Sequence, residues 1–111
     1  MPHAVDAQID QLLTEPRRVQ LSIAQVRAIA DRAFELGLFV QSMEVFEILS
    51  PTRQPLRTNL SILGLDKDWD VRARCDAAFA RRVLAEKLEA AEACPNLTVC
   101  EIWLDQLQPC S

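Results

Sequence analysis

Only two glycines, Gly37 and Gly64, occur in this chain of 111 residues. Alanine, leucine, glutamate and arginine are abundant, tyrosine is absent, and most of the prolines fall between periodic segments. Because glycine and proline interrupt helices while the abundant residues favour them, the composition predicts an all-α fold. We expect a single domain over residues 1–111, built from about six helices stacked as antiparallel hairpins.

The spacing of apolar residues places these helices along the chain. They cover residues 4–13, 23–36, 40–49, 55–63, 69–93 and 98–107. Ser22 and Gln25 form a capping-box pattern at the start of the second helix, and Gly37 is suited to end it. A strand over residues 98–103 is the alternative to the last helix, because that stretch is rich in residues that favour strands.

The charge of the chain restricts its partners. The net charge is -4 and the isoelectric point is about 4.9, whereas nucleic acids and anionic membranes attract basic proteins. The first residues do not resemble a secretory signal, and no apolar stretch reaches the roughly 18 residues of a membrane-spanning helix. We therefore expect a cytoplasmic protein that binds neither nucleic acid nor membrane.

The chemistry of the side chains predicts no enzyme and no cofactor. The four cysteines, at positions 75, 94, 100 and 110, lack the close pairing of a zinc site, and His3 is the only histidine. No catalytic set with a serine or cysteine nucleophile can be assembled, and no phosphate-binding glycine loop is present. In a cytoplasmic protein, we expect all four cysteines to be reduced thiols and no metal to be bound.

The region around Gly37 resembles a tetratricopeptide repeat, a family of 34-residue helix pairs. The repeat positions fall on Val26, Ile29, Ala30, Ala33, Ser42 and Phe46, and Gly37, Phe39 and Pro55 resemble the turn and the closing proline. The resemblance implies repeat-like hairpins over residues 20–83 and a C-terminal helical segment over 84–111. A shorter second unit begins near Gly64.

Small size, acidity and helix hairpins together resemble the tetratricopeptide-like chaperones of bacterial type III secretion. This resemblance implies a chaperone or adaptor that holds a client segment in an apolar helical groove. The partner that the resemblance implies is another protein, either a secretion client or a co-chaperone, with which the chain would form a hetero-oligomer. The groove positions of the inner helix are Ala24, Arg27, Asp31 and Phe34, of which Phe34 is the expected anchor.

Two alternative functions remain open from the sequence. A helix-turn-helix regulator fits the spacing of Ala33, Gly37 and Met43, although the second helix would carry glutamates and no basic residue. A scaffold or immunity-type protein would instead bind a basic partner through the acidic stretch from 86 to 105.

Overall fold

The computed structural model describes residues 5–14 and 19–110. Within these ranges the chain forms four α-helices, one short 3-10 helix and two strands. In chain order they are α1 (Asp6–Thr14), α2 (Ile23–Glu35), β1 (Leu38–Glu47), the 3-10 helix (Thr58–Leu60), α3 (Lys67–Cys75), α4 (Ala77–Glu92) and β2 (Thr98–Gln106). The fold is therefore α+β, and the prediction of an all-α, tetratricopeptide-like stack of six helices is wrong.

Helix α2 begins and ends where the sequence predicts. The Ser22 side chain accepts a hydrogen bond from the backbone N–H of Gln25 (3.1 Å), and the Gln25 side chain accepts one from the N–H of Ser22 (2.8 Å). This capping box satisfies two donors that the helix leaves unpaired. Gly37 follows the helix with φ of +78°, a left-handed conformation that glycine adopts readily. Helix α1 (Asp6–Thr14) also lies close to its predicted range of residues 4–13, whose first residue, Ala4, lies outside the described residues.

The predicted helix over residues 40–49 is instead strand β1. Met43 and Val45 are fully buried, whereas Ser42 and Glu44 are half-buried on the opposite side, as expected for a strand with one face on the core. A β-bulge just before Ser42 shifts the phase of this alternation. Met43, Phe46 and Leu49 nevertheless recur at a spacing of three residues, which mimics a helix, although Phe46 lies on the face opposite Met43 and Leu49 lies beyond the strand.

Strands β1 and β2 form an antiparallel ladder that runs from Leu38 opposite Gln106 to Glu47 opposite Thr98. The strand that the sequence analysis kept as an alternative over residues 98–103 is correct, and the helix is wrong. Residues that favour strands are stabilised when a neighbouring strand packs and pairs with them, and this ladder provides that strand.

Short segments extend the sheet at both edges. Leu21 exchanges two backbone hydrogen bonds with Cys100 of β2, at 2.8 and 2.7 Å. Ile62 does the same with Met43 of β1, at 2.8 and 3.1 Å. Strand β1 therefore lies between β2 and the segment that contains Ile62.

Two further helix predictions need correction. The expected helix over 55–63 is an irregular segment with one 3-10 turn. The expected helix over 69–93 is interrupted at Asp76, whose carboxylate caps α4 by accepting a hydrogen bond from the N–H of Phe79 (3.0 Å).

The last residue of α3, Cys75, forms a disulfide with Cys110, so the expectation of four reduced thiols is also wrong.

The inner face of the sheet packs on the helices. Buried side chains from α1, α2, α4 and both strands form one apolar cluster, which includes Ile9, Val26, Ile29, Met43, Val45, Leu84, Leu88, Cys100 and Ile102. A smaller cluster joins Phe39 to Ala73 and Ala80 beside α3. The opposite side, which we call the outer face, is turned away from the main cluster.

Candidate functional site

The outer face carries polar, acidic and aromatic side chains. The strand register places three cross-strand pairs on it: Ser42 opposite Trp103, Glu44 opposite Glu101, and Phe46 opposite Val99. Among these six residues only Glu101 is buried, and the others are half-buried. This face is therefore the part of the sheet that a partner can reach.

An open pocket of about 400 Å³ lies at one end of the outer face, and we call it the leucine pocket. Its lining residues are Gln41, Ser42, Glu44, Ile62, Leu63, Gly64, Leu65 and Trp103. Leu63 is 57% exposed and Leu65 is 98% exposed. Two large apolar side chains are thus exposed to solvent beside the indole ring of Trp103, although their transfer out of water would be favourable.

The segment that carries these leucines is fixed to β1. Besides the Ile62–Met43 hydrogen bonds, the Gln41 side-chain amide donates to the carbonyl oxygen of Gly64 at 2.7 Å. A Cβ atom on Gly64 would collide with the side chains of Ser42 and Gln41. Glycine at this position permits the close approach, so the wall of the leucine pocket is formed before any partner arrives.

Helix α3 supports the same end of the sheet. The Trp69 indole N–H donates to the carbonyl oxygen of Gln41 at 3.0 Å. Arg74 pairs with Asp70 of α3 (2.8 Å) and with Asp105 of β2 (3.0 Å), which ties the helix to the strand. The hydrogen bond from Arg74 is the main reason that the pKa of Asp70 lies below its ordinary value.

Among the described residues that line the leucine pocket, Glu44 is the one ionisable residue. None of the ion pairs between described residues involves it. Glu101, directly opposite, is 7% exposed and has contacts of its own. Glu44 therefore lies at the wall of the leucine pocket without an ion pair to a described residue.

A polar depression of about 750 Å³ lies at the other end of the outer face. Its lining residues are Gln20, Phe46, Pro51, Thr52, Gln54 and Glu101. The Gln20 side-chain amide donates to the Gln54 side-chain oxygen at 3.1 Å, which links the connection before α2 to the loop after β1. The two opposed carboxylates therefore lie between an apolar pocket and a polar depression.

Three of the four predicted partner-binding residues come together, but not on the outer face. Arg27, Asp31 and Phe34 line a groove of about 210 Å³ between α2 and α4, and Ala24 is exposed but not part of this lining.

The side chains of this groove are engaged with α4. Arg27 pairs with Glu92, and Arg81 lies 3.5 Å from the Asp31 carboxylate. The Arg81 guanidinium also lies 5.1 Å from the centre of the Phe34 ring, within the range of a cation–π contact. These residues connect two helices of the fold, which leaves the groove less suited to a partner than the outer face.

The residues that resemble a tetratricopeptide repeat do not form a helix pair. The first positions lie buried on α2, but Ser42 and Phe46 lie on a strand and Pro55 lies in the irregular segment. Since β1 follows Gly37, the helix-turn-helix interpretation also lacks its second helix.

The acidic stretch from 86 to 105 does not form one surface. Helix α4 packs on the inner face, whereas Glu101 and Asp105 lie on β2 at positions that face outward. Two of the acidic groups are already paired, Glu92 with Arg27 and Asp105 with Arg74.

The sequence analysis missed the residues of the leucine pocket. It placed Leu63 at the end of the expected helix over residues 55–63, and Glu44 within the expected helix over 40–49. The signal that could have found them is the alternation of Ser42, Glu44 and Phe46 with Met43 and Val45, which is typical of a strand.

Comparison with known protein families, curated proteins and solved structures finds no match to this sequence. None of the helices in residues 5–14 and 19–110 combines the length and apolar character needed to cross a membrane. Within the same ranges, no group of three or more histidine, cysteine or acidic residues is arranged to hold a metal ion.

Proposed function

We propose that this protein binds a segment of another protein, and that a large apolar side chain of that segment enters the leucine pocket. One observation supports the proposal: Leu63 and Leu65 are exposed around a preformed pocket beside Trp103. Exposed apolar patches with polar rims mark interaction sites, and aromatic residues contribute most to binding at such sites. Covering one exposed leucine contributes about 2 kcal/mol.

The proposed contact is on the sheet and not on α2. Protein binding without catalysis is the function that the sequence analysis expected, but a helical groove of repeats is no longer its basis. A secretion client, as for a type III secretion chaperone, is one identity of the partner and stays a prediction.

A cytoplasmic location also stays a prediction. The Cys75–Cys110 disulfide counts against it, because disulfides persist in oxidising compartments.

Selection from a random peptide library tests the proposal. Peptides enriched on the immobilised wild-type protein are synthesised, and their affinities are measured by fluorescence anisotropy for the wild type, Leu65→Ser and Leu97→Ser. Leu97 is a matched control because it is 70% exposed and lies before β2, outside the leucine pocket. We expect Leu65→Ser to weaken binding by about tenfold or more and Leu97→Ser to leave it unchanged.

Two results of this selection would contradict the proposal. One is that no peptide is enriched over a blank surface. The other is that the enriched peptides bind Leu65→Ser as tightly as the wild type, which would place their site elsewhere on the protein.

A further inference from the structure

We infer that the segment bound in the leucine pocket is basic, with a lysine or arginine close to its apolar anchor and in contact with Glu44. This inference rests on the proposed function and adds the charge of the partner to it. It identifies the partner as an amphipathic segment, in which one apolar side chain and one cationic side chain point to the same surface.

Glu44 differs from the other acidic residues near the ends of the sheet. Glu47, three residues further along β1, accepts hydrogen bonds from Arg57 (2.8 Å) and Asn96 (3.2 Å). Asp105 is paired with Arg74. Glu44 is half-buried, and no described lysine or arginine forms an ion pair with it. A carboxylate that has lost part of its hydration gains most from a cation brought by a partner.

The geometry of the strands sets where that cation must lie. Ser42 and Glu44 are successive outer-face residues of β1, so they lie about 7 Å apart along the strand. Trp103 is directly opposite Ser42. An apolar anchor of the partner that packs against Trp103 therefore lies one residue pair along the ladder, about 7 Å, from Glu44. A lysine or arginine two residues from the anchor in an extended segment, or three to four residues away in a helix, reaches it.

The charge of the outer face argues against other occupants. Glu44 brings to this face a carboxylate that no described lysine or arginine pairs with, and its charge contributes a negative potential there. Nucleic acids and anionic membranes carry the same sign of charge and are repelled. A second copy of this chain, docked symmetrically, would bring the same carboxylate to the contact.

The test repeats the peptide selection on the Glu44→Gln variant and on Glu89→Gln. The second variant loses the same charge from an exposed position on α4, outside the leucine pocket. We expect lysine or arginine to be enriched near the apolar anchor in the wild-type and Glu89→Gln selections, and not in the Glu44→Gln selection. The best wild-type peptide should bind Glu44→Gln about tenfold more weakly.

Three further measurements separate binding from folding and from general charge. Glu44 forms no ion pair with a described residue, so the Tm of Glu44→Gln should stay close to that of the wild type even though the peptide affinity falls. The affinity of the wild-type peptide should decrease with added salt. A variant of the selected peptide with glutamate in place of its lysine should bind Glu44→Lys more tightly than it binds the wild-type protein.

The outcomes distinguish the inference from the function on which it rests. Peptides that need Leu65 but carry no basic residue, or whose affinity is the same for Glu44→Gln, would overturn the basic partner and leave the leucine pocket as the binding site. A selection that enriches no peptide would overturn both.

Discussion

Cys75, the last residue of α3, is joined by a disulfide to Cys110, four residues beyond the end of β2. Their Cα atoms lie 4.9 Å apart although 35 positions separate them in the sequence. A backbone hydrogen bond of 2.7 Å from Gln108 to Arg74 accompanies the link. Together these contacts fasten the segment after β2 to the helix that supports the leucine pocket.

The disulfide predicts a thiol count of two in place of four. Titration of the unfolded protein without reductant should detect Cys94 and Cys100 only. Reduction, or the double variant Cys75→Ser/Cys110→Ser, should lower the free energy of unfolding by roughly 3 kcal/mol, because the bond closes a long loop in the unfolded chain. Denaturant melts measure this change. Four thiols in protein purified under air would contradict the prediction.

The two remaining cysteines should differ in reactivity. Cys100 is fully buried on β2, and this burial raises its pKa to about 11, whereas Cys94 is half-buried. Since the thiolate is the nucleophile, iodoacetamide should modify Cys94 in the folded protein and leave Cys100 unmodified at about pH 8. Mass spectrometry of digested samples locates the label. Rapid labelling of Cys100 in conditions where the protein stays folded would show that this part of the sheet opens.

Phe34 should stabilise the fold and not bind the partner. It packs against both apolar clusters, and Arg81 lies over its ring. Because the side chain is half-buried, Phe34→Ala should lower the free energy of unfolding by roughly 2–3 kcal/mol, with Phe34→Leu losing less. The affinity of selected peptides per folded molecule should not change. Intact stability together with lost peptide binding would return the partner site to α2.

The ion pair between Asp70 and Arg74 should appear in the pH dependence of stability. The pKa of Asp70 is lowered in the folded protein, so the unfolded state binds more protons at acidic pH. The stabilisation is complete above about pH 5, one unit above the ordinary pKa of an aspartate, and is lost as the pH falls through the folded pKa. In urea melts, the free energy of unfolding of Asp70→Asn should therefore fall less steeply between about pH 5 and about pH 2 than that of the wild type. Asp68→Asn, on an exposed residue of the same helix, serves as the control and should match the wild type.

Features of the fold that depend on neighbours in sequence could be predicted. The capping box of Ser22 and Gln25 and the left-handed Gly37 involve residues at most a few positions apart, and both are confirmed. The identity of β1 depends on a partner strand that begins at Thr98, and on a bulge that breaks its alternation. No local pattern contains that partner, so a helix with the same apolar residues seemed equally consistent.

The candidate site was harder to predict than the fold for a related reason. Leu60 and Ile62 are buried, while Leu63 and Leu65 are exposed, yet all four are aliphatic residues in one short stretch. Which of them faces the core depends on the hydrogen bonds between this segment and β1. Trp103 joins the site only through the register of β2, which the sequence alone does not specify.

Gly64 provides a direct test of how the leucine pocket is built. A Cβ atom there would collide with the side chains of Ser42 and Gln41, so Gly64→Ala must move these side chains and disturb the hydrogen bond from Gln41 that holds the segment with Leu63 and Leu65. We expect a loss of about 1–3 kcal/mol in the free energy of unfolding and a weaker peptide affinity per folded molecule. Denaturant melts and fluorescence anisotropy on the same samples measure the two effects.

Gly37 gives the contrasting case, because its φ is +78° and no described residue lies within 4 Å of the position of a Cβ atom. At Gly37 the cost of a side chain is conformational, so Gly37→Asn should be tolerated better than Gly37→Ala, since asparagine adopts the left-handed conformation more readily. At Gly64 the cost is steric, so Gly64→Asn should destabilise the protein more than Gly64→Ala. Equal stability of wild type and Gly64→Ala, with unchanged peptide affinity, would mean that the side chains of Gln41 and Ser42 do not hold this segment as described.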